Sequence, residues 1–296
     1  MKYSDINFNN KIILITGGAG FIGSSIAFYL QDNYPDVNII IFDCFRNNEL
    51  LPNGNLLSYG HYKNLIGFKG EVICGNINSK DDLSLLSNYK FDYIFHQAAI
   101  SDTRAYNQEM VMKTNVNSFY DLLKIAKKNQ SVMVYASSAA TYGGLPSPQV
   151  EGNESPENPY GYSKLLMDQI AFRYANENPN MTIVGLRFFN VYGPREFYKA
   201  KTSSMIIQLG HQILANKSPR LFENSNKILR DFVFIEDVVQ ANIKACNVKS
   251  NGTYNVGTGI SRSFKDIIDI LQKELTTSLN IEYFPNPYDG YQLNTQ

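Results

Sequence analysis

A tyrosine and a lysine four residues apart, Tyr160 and Lys164, have the spacing needed for acid–base chemistry. In a helix this spacing puts both side chains on one face. A nearby ammonium favours the phenolate, so the pair could take a proton from a substrate hydroxyl at neutral pH. Ser138 follows an apolar run and could hydrogen-bond the same oxygen. Because the chain has 20 tyrosines, the spacing alone is also compatible with a surface helix pair.

Three glycines, Gly17, Gly20 and Gly23, are spaced by three residues directly after the first apolar run. Residues without a Cβ let backbone N–H groups approach a pyrophosphate, and the start of the following helix adds its positive end. The next apolar run ends at Asp43, twenty residues after Gly23, where an acid would accept the hydroxyls of an adenosine ribose. The pattern predicts a dinucleotide site.

The residues around Asp43 leave the choice of dinucleotide open. An acid at this position favours NAD, whereas Arg46 could pair with the 2′-phosphate of NADP or be a solvated loop charge. Asn76 and Ile77 follow the third apolar run, where they could touch the adenine or form an ordinary turn.

Apolar runs alternate with amphipathic segments through the first 190 residues. The predicted strands are residues 11–16, 37–42, 71–74, 93–95, 132–137 and 182–188, and the predicted helices are 22–31, 111–129 and 160–176. Continuous apolar strands separated by helices indicate a parallel sheet that is covered on both faces. The prediction is an α/β fold, a Rossmann-like doubly wound parallel sheet with its ligands at the carboxyl ends of the strands.

The remaining residues predict a smaller α/β substrate-binding domain. Strands are expected at 220–222, 231–235 and 252–256, and helices at 205–216, 236–246 and 264–275. The predicted dinucleotide-binding domain is 1–189 plus about 232–258, and the predicted substrate-binding domain is about 190–231 plus 259–296.

Composition excludes several classes of protein. Hydrophobic residues make up 44% of the 296 residues, enough for a large core. The chain has 27 Lys and Arg residues and 27 Asp and Glu residues, so its formal net charge is zero. Its overall charge therefore gives no reason to expect binding to nucleic acid or to an anionic membrane. No apolar run is long enough to span a bilayer. Three scattered cysteines predict reduced thiols in the cytoplasm, and three scattered histidines predict no metal site.

Taken together, these motifs resemble a known family. The glycine turn, Asp43, the His-x-Ala-Ala segment at residues 96–99, Ser138 and the Tyr160–Lys164 pair are similar to the extended short-chain dehydrogenase/reductases, the NAD-dependent epimerases and dehydratases of nucleotide sugars. Residues 187–196, RFFNVYGPRE, mark a subgroup. With Tyr198, Lys199 and residues 221–223, 230–232 and 291–292, the chain resembles the epimerases that act at C6 of an ADP-heptose.

The resemblance implies a role for each matching residue. Ser138 would lie nearest the reacting centre, Tyr160 would be a general base, Lys164 would bind the nicotinamide ribose and tune Tyr160, and Lys199 would be a second base. The remaining implied cofactor contacts are Phe21, Ile22, His96, Ala98, Ala99 and Asn115. The remaining implied substrate contacts are Asn190, Phe222, Glu223, Ser225, Arg230 and Tyr291. Phe222 in the core and Arg230 in a surface ion pair are the alternatives.

The implied reaction moves a hydride from C6 of ADP-D-glycero-D-manno-heptose to NADP⁺, with NAD⁺ also open, and returns it to the other face of the 6-ketone. A homo-oligomer is implied too. A hexose 4-epimerase would leave Lys199 without a role, and a 4,6-dehydratase commonly carries Asp-Glu where Ala139 and Ala140 follow Ser138. If the chain were a non-catalytic NADP-binding regulator, the Tyr160–Lys164 pair or the Ser138 motif should be damaged. Both are intact.

The chain also departs from that family pattern. Lys201 and Gln208 stand where relatives carry Ser and His near the substrate, and residues 54–70 diverge. Relatives usually continue past the point where this chain stops, so the last elements of the substrate domain are expected to lie beyond Gln296.

Overall fold

The computed structural model describes residues 2–286 and 294–295. The strands are β1 (Ile12–Thr16), β2 (Asn38–Asp43), β3 (Glu71–Cys74), β4 (Tyr93–His96), β5 (Val132–Ser138), β6 (Ile183–Phe188), β7 (Asn190–Tyr192), β8 (Arg220–Phe222), β9 (Leu229–Phe234), β10 (Gly252–Val256), β11 (Ser261–Ser263), β12 (Glu282–Phe284) and β13 (Asn294–Thr295). The helices are α1 (Phe21–Asn33), α2 (Lys80–Ser84), α3 (Gln108–Val111), α4 (Ser118–Asn129), α5 (Pro159–Glu177), α6 (Met205–Leu214), α7 (Ile235–Ala245) and α8 (Phe264–Glu274).

Seven parallel strands form the central sheet in the order β10-β6-β5-β4-β1-β2-β3. Both faces are buried, because α1 and α7 pack with one face and α4 and α5 with the other. The strand order reverses between β1 and β4, and this reversal opens a crevice at the carboxyl ends of the strands. The prediction of a Rossmann-like doubly wound α/β fold is confirmed.

The smaller body is built around β9, which pairs with β7, β11 and β13. A second small sheet joins β8 to β12, and α6 and α8 share a core that contains Leu209, Leu221 and Ile268. Strand β10 returns to the large sheet. The predicted domain boundary at 231–232 falls inside β9, and the predicted strand end at Ile235 is already the first residue of α7.

The predicted single helix over 111–129 contains an irregular segment. Residues Met112–Asn117 form π-helical turns between α3 and α4. The Asn115 side chain lies within this segment. It accepts the Ile100 N–H at 2.9 Å and donates to the Ser163 hydroxyl at 2.9 Å. Such π-helical turns are rare and are frequent at functional sites. Here this segment ties the end of β4 to α5.

Within residues 2–286 and 294–295, no helix is both long and apolar enough to cross a bilayer. In the same part of the chain, no group of three or more His, Cys, Asp or Glu side chains could hold a metal ion.

Candidate active site

A cavity of about 1790 Å³ opens at the carboxyl ends of the central strands. Its walls come from the glycine turn, the ends of β4 and β5, the start of α5, and β8 and β9 of the smaller body. A site for one small molecule typically has 300–1,000 Å³. The volume therefore exceeds what one small molecule needs and leaves room for a second ligand beside the first.

The glycine turn forms a cradle that only glycines allow. Gly17 has a φ of +69°, and a Cβ there would lie 2.6 Å from the Ala98 nitrogen. A Cβ on Gly23 would lie 2.3 Å from the Gly17 carbonyl oxygen. Helix α1 then starts after Gly20 with no side-chain cap and no acidic residue in its first turn. Its free N–H groups and positive end fit a pyrophosphate. Lining this part of the cavity are Gly17, Gly20, Phe21, Ile22, Gly23, Ala98 and Ala99.

Asp43 ends β2 beside this cradle. Its carboxylate accepts the Ala19 N–H at 3.0 Å and the Phe45 N–H at 2.8 Å. Burial raises the pKa of Asp43, and the two N–H donors oppose that rise. Asn76 and Ile77 line the cavity just after the end of β3, which is the strand next to β2. The arrangement fits an adenosine bound against Asp43.

Arg46 has a different partner from the predicted 2′-phosphate. Its guanidinium donates to the carbonyl oxygen of Tyr198, and Arg46 is not among the described residues that line the cavity. The Tyr198 contact uses one nitrogen of the guanidinium, which has five N–H donors in all. Recognition of a 2′-phosphate by Arg46 therefore stays a prediction.

Ser138 and Tyr160 are brought together by the end of β5 and the start of α5. Asn158 caps the helix by accepting the Gly161 N–H at 2.8 Å, which places Tyr160 in the first turn. The Ser138 hydroxyl accepts the Ala140 N–H at 3.1 Å. Burial raises the pKa of Tyr160, and the nearby Ser138 side chain opposes the rise. Both residues line the cavity.

Lys164 lies one turn further along α5 and is only 2% exposed. Its ammonium donates to the Ala136 carbonyl at 2.7 Å and lies 5.9 Å from the centre of the Tyr160 ring. Burial lowers the pKa of Lys164 to about 8, opposed by the charge of Asp168. The tuning of Tyr160 by Lys164 stays a prediction.

Lys199 reaches the same cavity from the smaller body. It belongs to a 3₁₀ turn, Glu196–Thr202, and its ammonium lies 5.9 Å from the centre of the Phe21 ring. Burial lowers the pKa of Lys199, while the charge of Glu196 opposes the change. Glu196 is itself buried and accepts a hydrogen bond from the Ser204 hydroxyl at 2.9 Å. Two candidate bases, Tyr160 and Lys199, therefore line one cavity.

Two predicted cofactor contacts, His96 and Asn115, lie behind the cavity wall. The His96 ring is buried, its Nδ1 lies 2.7 Å from the Thr16 hydroxyl, and it stacks on Phe119. Burial, and secondarily the charge of Lys164, lowers the pKa of His96 to about 3. Asn115 is fully buried against Ile100. Both side chains support the wall and do not line the cavity.

The predicted substrate contacts divide into two groups. Asn190, Phe222 and Arg230 line the cavity. Arg230 is 7% exposed and donates to the Leu229 carbonyl, and Phe222 packs edge-on against Phe284. Glu223 and Ser225 are off the cavity wall, Glu223 on the surface and Ser225 buried beside β8. Tyr291 lies outside the described residues. The divergent residues Lys201 and Gln208 also line the cavity.

A buried charge network beneath Ser138 was missed by the sequence analysis. The Asp168 carboxylate accepts from the Ser137 hydroxyl at 3.0 Å and from Arg187 Nε at 2.9 Å. Arg187 also donates to Glu154 at 2.6 Å. The network joins β5, β6 and α5 below Ser138 and Tyr160. The available signal was Arg187 itself, a charge inside an otherwise apolar strand.

The chain belongs to the NAD dependent epimerase/dehydratase family, whose profile matches residues 13–257. The family description and the fit of the cradle agree on a nicotinamide cofactor.

Individual relatives narrow the comparison. An ADP-L-glycero-D-manno-heptose-6-epimerase of Brachyspira hyodysenteriae is 37% identical over 292 residues, covering 96% of this chain and 88% of that protein. The crystal structure of the Helicobacter pylori ADP-L-glycero-D-manno-heptose-6-epimerase is 48% identical, with a TM-score of 0.90, covering 100% of this chain and 90% of that one. A UDP-N-acetylglucosamine 4-epimerase of Methanobrevibacter ruminantium is 27% identical, with a TM-score of 0.82, covering 95% and 87%.

Proposed function

We propose that this protein is an isomerase that epimerises ADP-D-glycero-D-manno-heptose to ADP-L-glycero-D-manno-heptose at C6, through a transient 6-ketone. The observation that carries the proposal is the presence of two candidate bases, Tyr160 and Lys199, on one cavity that also contains the dinucleotide cradle. The two relatives described by that activity, at 37% and 48% identity, support the choice of sugar.

The cofactor residues present fit a nicotinamide dinucleotide. Gly17, Gly20 and the start of α1 would hold its pyrophosphate, Asp43 its adenosine ribose, and Lys164 its nicotinamide ribose. When bound, the nicotinamide supplies the redox chemistry by accepting a hydride from C6 and returning it.

The chain's own residues handle the proton and the orientation of the sugar. The Ser138 hydroxyl would donate to the C6 oxygen from the same cavity wall as Tyr160. Tyr160 would remove or return the hydroxyl proton on one face, and Lys199 on the other. C6 lies outside the pyranose ring, so rotation about one exocyclic bond presents the second face without moving the nucleotide. Arg230, which lines the cavity, would hold a diphosphate oxygen.

A 4-epimerase is the second candidate, and the Methanobrevibacter structure is the observation that favours it. Such an enzyme needs one tyrosine base and gives Lys199 no task. The deciding experiment incubates the purified protein with ADP-D-glycero-D-manno-heptose and separates the two C6 epimers by chromatography. We expect the L-glycero epimer to accumulate to equilibrium without added reductant. Conversion of UDP-hexoses at C4, with no change in the ADP-heptose, would overturn the proposal.

We propose NADP as the bound form of the cofactor, on the resemblance to the C6 epimerases. The geometry at Asp43 and Arg46 does not itself read a 2′-phosphate, so the cofactor must be identified directly. Acid release from the purified protein followed by ion-exchange chromatography is expected to give NADP⁺. Release of NAD⁺ alone would contradict this choice.

We propose that the protein is a cytoplasmic homo-oligomer whose small-molecule partner is ADP-heptose. The three cysteines are free, as a reducing compartment requires. Light scattering of the purified protein tests the assembly, and a monomer would contradict it.

A further inference from the structure

The turn that carries Lys199 is fastened to the segment that follows β2, residues 44–61. Arg46 donates from its guanidinium to the carbonyl oxygen of Tyr198, the residue directly before Lys199. The His61 ring stacks on the Tyr198 ring, with centres 4.0 Å apart and planes 7° from parallel. One residue of the turn is therefore held through both its main chain and its side chain.

The same segment is joined to the cofactor cradle. The His61 N–H donates to the Ala19 carbonyl of the glycine turn at 3.0 Å, and the Arg46 N–H donates to the Gly60 carbonyl at 2.9 Å. Gly60 packs so closely on Asp43 that a Cβ there would lie 2.2 Å from the carboxylate. Main-chain hydrogen bonds and close packing therefore link Tyr198 to the residues around Asp43.

A second fastening lies just before the turn. Arg195 donates to the Asn64 carbonyl at 2.6 Å, and its guanidinium lies 3.8 Å from the centre of the Phe28 ring. Both fastenings come from the cofactor-binding domain, although the turn leads into the smaller body.

Lys199 needs such support because its own ammonium has no hydrogen-bond partner among the described residues. A lysine has a flexible four-carbon stem, so its reach is set by where its backbone is held. Misplacing a catalytic group by about 1 Å can lower a rate about 10²-fold.

We propose that Arg46 is a positioning residue, which together with the His61–Tyr198 stack holds Lys199 at the reacting carbon and couples this base to the adenosine end of the cofactor site. The proposal rests on the proposed function for the role of Lys199, and on the contacts alone for the role of Arg46. This task differs from the predicted recognition of a 2′-phosphate, and the first experiment separates the two.

The first experiment compares Arg46→Met, Arg46→Lys and Arg173→Met in steady-state epimerisation. Arg173 is an exposed arginine on α5 and serves as the control. We expect Arg46→Met to lower kcat about 10- to 100-fold with KM and the NADP/NAD preference nearly unchanged, and Arg46→Lys to restore part of the rate. A change confined to KM or to the NADP/NAD preference would overturn the proposal.

A double variant tests whether the guanidinium and the stack act through the same turn. Tyr198→Leu removes the stack and keeps the carbonyl that Arg46 contacts. If both act on Lys199, the double variant loses little more rate than the worse single variant. Losses that multiply would show independent effects and reject the shared role.

A third measurement does not depend on the reaction. The rate at which an amine reagent labels Lys199 is followed against pH by mass spectrometry, with exposed Lys128 as internal reference. Releasing the turn would expose Lys199, so Arg46→Met should shift its labelling profile to higher pH and Arg173→Met should not. An unshifted profile overturns the positioning role. A shifted profile in a protein that does not epimerise ADP-heptose would sustain it while the proposed function fails.

Discussion

Tyr160 and Lys199 line one cavity from two different parts of the chain, and each has a pKa altered by burial. If they serve opposite faces of C6, then each epimer is oxidised mainly by one of them. Neither residue can replace the other, because their side chains start from separate elements.

We expect Tyr160→Phe and Lys199→Met each to lower epimerisation by about 10²- to 10⁴-fold, since each removes an acid–base group. Folding, cofactor content and sugar binding should change little. In each variant, one epimer of the substrate and not the other should leave the cofactor in its reduced form. The absorbance of the reduced nicotinamide measures this.

Tyr162→Phe and Lys128→Met are the matched controls for these two variants, because both side chains are exposed. If Lys199→Met raised KM and left kcat at the wild-type value, Lys199 would be only a binding contact. The two-base mechanism would then fall, and a 4-epimerase with one tyrosine base would account better for the site.

The buried His96 side chain makes the free energy of unfolding depend on pH. Its pKa in the folded protein, about 3, lies below the unfolded value of 6.5. Below pH 6.5 the unfolded state therefore binds the proton first, and stability falls with pH by about 1.4 kcal/mol per unit until about pH 3. We expect His96→Asn, measured by urea unfolding between pH 6.5 and 4, to lose this slope.

His211→Asn, at an exposed position on α6, should keep the wild-type slope in the same experiment. Equal slopes for wild type and His96→Asn would show that His96 is not buried in its neutral form.

At the scale of elements, one helical glycine is required by the close packing of the glycine turn, and another is not required by any contact. Gly23 in α1 faces the Gly17 carbonyl, whereas a Cβ on Gly210 in α6 would meet nothing within 4 Å. We expect Gly23→Ala to destabilise the protein and to abolish retention of the cofactor. Gly210→Ala should stabilise it by about 0.5–1 kcal/mol, because alanine has the higher helix propensity.

Urea unfolding and the nicotinamide content of the purified proteins measure both effects. Full cofactor retention by Gly23→Ala would mean that the close approach of the turn is not needed for binding.

At the scale of the whole molecule, two loops meet at the rim of the cavity. Asn53 and Asn55 donate to the buried Asp102 carboxylate at 2.8 and 2.6 Å, and Leu51 packs against Ile100 and Ala105. The loops after β2 and after β4 both line the cavity and are thereby joined to each other. An epimerase recovers its oxidised cofactor in every turnover, so it has no need to release it.

We therefore expect the purified protein to carry its nicotinamide cofactor and to turn over without added nucleotide. Asp102→Ala should lose the cofactor at least about tenfold faster on dialysis, because each lost hydrogen bond to a charged group contributes about 1.5–3 kcal/mol. Added cofactor should restore its activity. Asp269→Ala, in an exposed ion pair, is the control. If both variants retained the cofactor equally well, the contact between the two loops would not be what holds the cofactor.

The local sequence determined much of this protein. The apolar runs, the spacing of Gly17, Gly20 and Gly23, and the position of Asp43 predicted the parallel sheet and its cofactor edge, because strand periodicity and tight turns depend on neighbouring residues. The Tyr160–Lys164 spacing predicted a shared helix face for the same reason.

Only the tertiary structure decided what lies across the cavity. It turned Arg46 to Tyr198, placed His96 and Asn115 behind the wall, and assembled Asp168 and Arg187 under Ser138. These outcomes depend on burial and on partners far apart in the chain, since a charged side chain in the interior takes whichever counter-group the packing brings within reach. Sequence spacing carries no information on such distances, so a solvated loop charge and a half-buried arginine bound to a distant carbonyl look alike until the chain is folded.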